Sequence, residues 1–172
     1  QRANDLLIGE VREREAAELD RLRSDYWCGY SFAWLGSLAA RARDGERAAR
    51  ALETFSTAFT LRNSFHCNGD QSGRGFSRMT YRPFTLEGNF AAAAGTQEML
   101  LQSHRGRIEL FPAIPPAWRD ASFTSLRAEG AFLVSAERRD GQVRRIDIVS
   151  EKGGLCRVLS PWSDSVHSLA LK

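Results

Sequence analysis

The feature that most constrains this chain is a change of hydrophobic period about two-thirds of the way along. Up to His104 the apolar residues recur at helical spacing. After it they alternate, as a half-buried strand requires. A helical stretch followed by strands predicts two packed parts rather than one mixed sheet, an α+β organisation divided as residues 1–105 and 106–172. The length of 172 residues, 42% of them hydrophobic, suffices for one sizeable core or for one small domain and part of another.

Within the first part, Leu7, Val11, Leu19 and Leu22 mark an amphipathic helix from Asn4 to about Arg23, started by Asn4 or Asp5. The segment YSFAWLGSLAARARDGERAARALETF reads as an αα-hairpin over Ser31 to Thr60, turning at Asp44-Gly45. From Arg62 to Arg82 neither period survives. This stretch of about 20 residues exceeds the usual length of a loop in a compact domain, and its mixture of aromatic and polar residues favours a functional loop. Helix returns from Asn89 to His104, where the small residues Ala91 to Gly95 permit close backbone approach.

The second part begins with RIELFPAIP, a short strand stopped by proline. FLVSAERRDGQVRRIDIVS holds two runs about Asp140-Gly141, a strong hairpin signal. Simple pairing about a two-residue turn sets Leu133 and Ser135 on one face with Ile146 and Ile148, and Phe132 and Val134 on the other with Asp147; a bulge would shift this register. GGLCRVLS and SVHSLALK supply two further candidate strands.

Several classes of function are disfavoured. Lysine and arginine number 24 against 21 acidic residues, with both signs interspersed, which argues against a nucleic-acid partner. Cys28, Cys67 and Cys156 are odd in number and far apart, so free thiols are expected rather than a disulfide framework or a structural zinc site. No signal peptide is recognised, and no apolar run approaches the roughly 18 residues of a membrane span. The chain opens at Gln1, directly into a charged helix, and is expected to be a piece of something longer.

Among the polar and aromatic residues, Glu87 is the lone carboxylate of FTLEGNF, placed where a loop enters a helix. It suits either a catalytic role or simple capping of the turn. His66 reads as a substrate contact or as a residue that orders its loop, while Asn68 and Asp70 have the composition of a plain turn. Trp27 and Trp34 offer aromatic rings that suit either stacking on the apolar face of a ligand or packing in the core, with Trp34 the better candidate for the core. His104 fits the end of its helix as a cap.

Three quoted segments, CGYSFAWLGSLAARARDGERA, RPFTLEGNFAAAAGTQEMLLQSH, and IELFPAIPPAW with LRAEGAFLVSAERRDG, resemble in matching order the end of the catalytic domain and the start of the following β domain of glycoside hydrolase family 95. The resemblance runs from about Tyr26 to Val158 and is most specific between GNF and QSH. Characterised members are inverting α-L-fucosidases and α-L-galactosidases. The resemblance implies the last helices of an (α/α)6 barrel followed by an antiparallel, sandwich-like β domain. It implies an oligosaccharide or glycoconjugate substrate, the upstream part of the same catalytic domain as partner, neither cofactor nor metal, and a setting that leans to secreted or periplasmic.

In that family a glutamate acts as general acid and asparagine amides hold the attacking water, one of them polarised by an aspartate that aligns with Glu87. An amide is a poor base, so a neighbouring carboxylate is needed to raise electron density on its oxygen. Tyr81, His66, Asn68 and Trp27 become candidate substrate contacts. This chain departs twice: the aspartate is Glu87, one methylene longer, and the histidine usual six residues earlier is Tyr81, which donates a hydrogen bond but exchanges no proton near neutral pH. The general acid and the amide pair would lie upstream. A noncatalytic member of the family, and an independent carbohydrate-binding or structural module, are the other readings the sequence leaves open.

Overall fold

The computed structural model describes residues 26–163 and 165–172. The helix expected from Asn4 to Arg23 lies outside the described residues. Helix α1 spans Gly29–Arg41, α2 Gly45–Ala58 and α3 Leu86–Leu100. The strands are β1 Leu101–Gln102, β2 Glu109–Leu110, β3 Ala121–Ala128, β4 Phe132–Arg139, β5 Gln142–Ser150, β6 Gly154–Leu159 and β7 Val166–Leu171. The molecule is α+β, with antiparallel pairing throughout the named strands. None of the described helices is long and apolar enough to cross a membrane.

Helix α1 is the hub of the helical part and packs against both α2 and α3. It buries Phe32, Ala33, Gly36, Ala39 and Ala40. At 100° per residue Trp34 falls about 160° from the centre of that face, and it is 56% exposed. The sequence expectation of a core Trp34 is therefore corrected: the apolar neighbours at helical spacing belong to the other side of the helix. The turn between α1 and α2 also differs from expectation. Arg43 carries the positive φ of 63°, Asp44 caps α2 by accepting the Arg47 N–H at 2.9 Å, and Gly45 is already helical. A Cβ at Gly45 would come within 3.0 Å of the Ala113 carbonyl, so this glycine lets the second part of the chain rest on the start of α2.

Helix α3 stops at Leu100, four residues before the expected end. Leu101 is extended and pairs with Leu110. Buried Gln102 ties together the ends of two helices, donating Nε2–H to the carbonyls of Ala40 at 2.8 Å and Glu98 at 2.9 Å. His104 is consequently exposed beyond β1 and caps no helix.

The strands form a pair β1-β2, a sheet β3-β4-β5 and a pair β6-β7. β3 was absent from the sequence reading; it joins β4 through Gly130 and Ala131, both at positive φ. The β4–β5 hairpin turns at Asp140-Gly141, each with positive φ, as a type I′ turn demands. A bulge between Glu137 and Arg138 shifts the register, so Val134 faces Ile148, Ala136 faces Ile146 and Ser135 faces Asp147. The simple face assignment is thereby reversed for Ile146 and Ile148. Phe132, Val134 and Ala136 are buried and form one core with Phe123, Leu101, Ile108, Cys156 and Val158.

Candidate active site

Between α2 and α3 the loop runs out and back as a double ribbon. Thr60 bridges to His66 and Cys67 to Phe84. Backbone bonds tie Asn68 N–H to Pro83 O at 3.2 Å, Gly69 N–H to Tyr81 O at 3.0 Å, and Asp70 N–H to Met79 O at 2.7 Å. Gly69 is required at the crossing, since a Cβ there would come within 3.0 Å of the backbone at Thr80 and Tyr81. The ribbon is also sewn to the helices, with Cys67 N–H donating to Phe59 O and Gln71 N–H to Ala58 O, both at 2.7 Å.

The tip of the ribbon is folded on Asp70, which is buried. Its Oδ1 accepts Ser72 N–H at 2.7 Å and Ser72 Oγ–H at 2.6 Å, and its Oδ2 accepts Phe76 N–H at 2.9 Å. Burial pushes this carboxyl up, but the bonds from Ser72, Phe76 and Ser77 outweigh it and hold the group below its ordinary value.

The ribbon delivers its chain to the start of α3. Thr85 is the N-cap residue, extended at φ −143°, yet its side chain caps nothing. Its hydroxyl instead donates to Asn68 Oδ1 at 3.3 Å and lies 3.1 Å from His66 Nδ1. His66 is wholly buried, donates Nδ1–H to the Thr85 carbonyl at 2.8 Å, and stacks on Phe55 with centroids 5.4 Å apart. Asn89 completes the join: its Oδ1 accepts the His66 N–H at 2.9 Å and its Nδ2–H donates to Ser64 O at 2.7 Å.

Glu87 stands in the first turn of α3, exposed, and among the described residues it makes no hydrogen bond or ion pair. It caps nothing among the described residues. Tyr81, on the returning strand of the ribbon, is 46% exposed. Asn68 is half-buried and committed to Thr85. The backbone of Asn68 also accepts Gly29 N–H at 3.3 Å, joining the site to the start of α1. Trp27 joins a different group, edge-on to Phe32 at 5.3 Å. The structure thus brings His66, Asn68 and Glu87 to one helix start. Thr85 and Asn89 were missed as contributors; the Asn89 amide at hydrogen-bonding distance from a loop is invisible until the fold closes. Among the described residues no group of three or more His, Cys, Asp or Glu side chains stands together as a metal site.

Residues 14–100 match the Glycosyl hydrolase family 95 catalytic domain, and residues 102–169 match the Glycoside hydrolase family 95, C-terminal domain. The chain belongs to glycoside hydrolase family 95. It is 30% identical over 125 residues to Alpha-L-fucosidase 2 of Arabidopsis thaliana, an overlap that covers 72% of this chain and 15% of that protein. The two family 95 matches meet at residues 100 to 102, where α3 gives way to β1. This junction is rigidly made. Buried Glu109 of β2 pairs with Arg43 from the α1–α2 turn and, at 2.8 Å, with Arg107. Beside it, what burial His104 has, together with the neighbouring Arg41 guanidinium, holds that imidazole below its usual pKa against the opposing pull of Glu98 and Glu109.

Proposed function

We propose that this chain is the C-terminal portion of a glycoside hydrolase that removes a terminal α-linked L-fucose or a related sugar with inversion. Its helices would be the last of an (α/α)6 barrel and its strands part of a sandwich-like domain, completed by the upstream part of the same catalytic domain. Inversion needs a proton donor on one face of the sugar and an activated water on the other. The donor and the water-holding amides belong to the upstream part. Glu87 accepts the N–H of one of those amides and raises the basicity of its oxygen toward the water.

The observation that carries this reading is the state of Glu87: an exposed carboxylate without a partner among the described residues, on a helix start whose backbone is immobilised by His66 and Asn89. Tyr81 and Asn68 lie on the ribbon that feeds this helix and are the nearer candidates for touching the sugar. His66, being buried, serves from behind.

The test is the anomer first released by the intact protein from an aryl α-L-fucoside, followed by proton NMR. Release of the β-anomer is expected. First release of the α-anomer would contradict inversion, and failure to cleave aryl α-L-fucosides and α-L-galactosides alike would favour the noncatalytic reading that the Glu87 and Tyr81 departures suggest.

A further inference from the structure

His66 does more than fill space behind the site. Ideal Cβ positions at Gly29 and at Gly88 would each lie closer than 3.0 Å to the imidazole, the first beside Nε2 and the second beside Nδ1. The ring therefore occupies a slot between the starts of α1 and α3 that exists only because both helices present glycine there. Its two bonds to α3 reach Thr85, through Nδ1–H to the carbonyl, and Asn89, through the His66 backbone N–H to Oδ1. These anchors stand two residues before and two residues after Glu87.

The other ring nitrogen points to the same conclusion. Nε2 is buried without a hydrogen-bond partner among the described residues, a loss that an apolar filler of the slot would avoid. Nδ1 carries a proton, because the Thr85 carbonyl can only accept, and what the histidine offers over phenylalanine or leucine is this bond to Thr85.

We infer that His66 is a positioning residue for the reaction, an imidazole wedge that fixes the height and direction at which Glu87 leaves α3. The inference rests on the role proposed for Glu87. Misplacing a reacting group by about 1 Å can cost on the order of 100-fold in rate, and a residue bound on both sides of Glu87, by its ring at Thr85 and by its backbone at Asn89, controls displacements of that size.

The test uses the intact enzyme with two substitutions. Asparagine carries its Nδ2 donor as many bonds from Cα as the Nδ1 of histidine, whereas glutamine carries its donor one bond farther out. His66→Gln is expected to lower kcat by roughly 10- to 100-fold with little change in KM, while His66→Asn keeps most of the rate. Hydrogen exchange at the amides of residues 89–92, the first to be bonded within α3, is expected to quicken in the glutamine variant and stay near wild type in the asparagine variant. Should His66→Gln not fold, His66→Phe, which fills the slot without the donor, gives the same reading. Equal kcat in the two variants, or unaltered exchange in both, would overturn the inference. A loosened helix start with undiminished kcat would overturn it too; if Glu87→Gln is then also fully active, the error lies in the role of Glu87, and if Glu87→Gln is crippled, Glu87 acts without the wedge.

Discussion

Burial alone would raise the Asp70 carboxyl, and four hydrogen bonds, from Ser72 twice and from the Phe76 and Ser77 backbone, bring it below its ordinary value instead. A group whose folded pKa is depressed contributes stability above its unfolded pKa and loses it as pH falls through the folded one. The ribbon tip should therefore be most secure at neutral pH and loosen below about pH 4, the ordinary aspartate range. Thermal unfolding of the intact protein and of Asp70→Asn, measured from pH 7 downward, checks this. The difference in Tm is expected to be largest at neutral pH and to shrink in acid; a difference independent of pH would show that the carboxylate's charge is not what the turn uses. The same logic separates Asp70 from Glu87. One carboxylate is spent entirely on its own loop, and the other is left without a partner among the described residues.

At the level of elements, the start of α3 depends on Gly88 being glycine. In Gly88→Ala the new methyl meets the His66 ring, which is held by Phe55 on one face and by Thr85 at Nδ1, so the helix start must move. Overpacking of this kind costs roughly 1–3 kcal/mol, read as a shift in the denaturant midpoint of the intact protein. A neutral or stabilising effect would mean that the slot is slack. Much of this architecture was legible in the sequence. The αα-hairpin, the Asp140-Gly141 turn and the change from helix to strand followed from local period and turn chemistry, which act within a few residues. The reversal of Ile146 and Ile148, the early end of α3 and the exposure of Trp34 did not, for a shared reason. A bulge at Glu137, the capture of Ala40 by Gln102 and the choice of which face of α1 meets α2 and α3 are decided by residues distant in sequence. The site divides the same way. Glu87 was visible as a lone acid in a recognisable motif, whereas the clasp of His66, Thr85 and Asn89 joins residues as far as 23 positions apart and exists only once the chain between them has closed.

The whole molecule, taken as this chain by itself, presents large apolar side chains to solvent, among them Tyr26, Trp34, Phe84, Phe90 and Trp162. Exposed patches of that kind mark surfaces that other structure covers. The chain spans 15% of the length of the Arabidopsis relative, and the proposed barrel supplies a cover for the helical side. Expressed alone, the 172 residues are expected to bind a hydrophobic dye strongly or to self-associate; a compact monomer with sharp thermal unfolding would contradict this. Whether Glu87 polarises the amide holding the attacking water is decided in the full-length enzyme by comparing kcat for Glu87→Gln with wild type. Glutamine keeps the size and much of the hydrogen bonding but not the charge, so a drop of roughly 10²- to 10⁴-fold with little change in KM is predicted. A folded Glu87→Gln enzyme that keeps more than about half of the wild-type kcat would contradict the account, because a helix-start carboxylate of purely structural use loses no more than that on amidation.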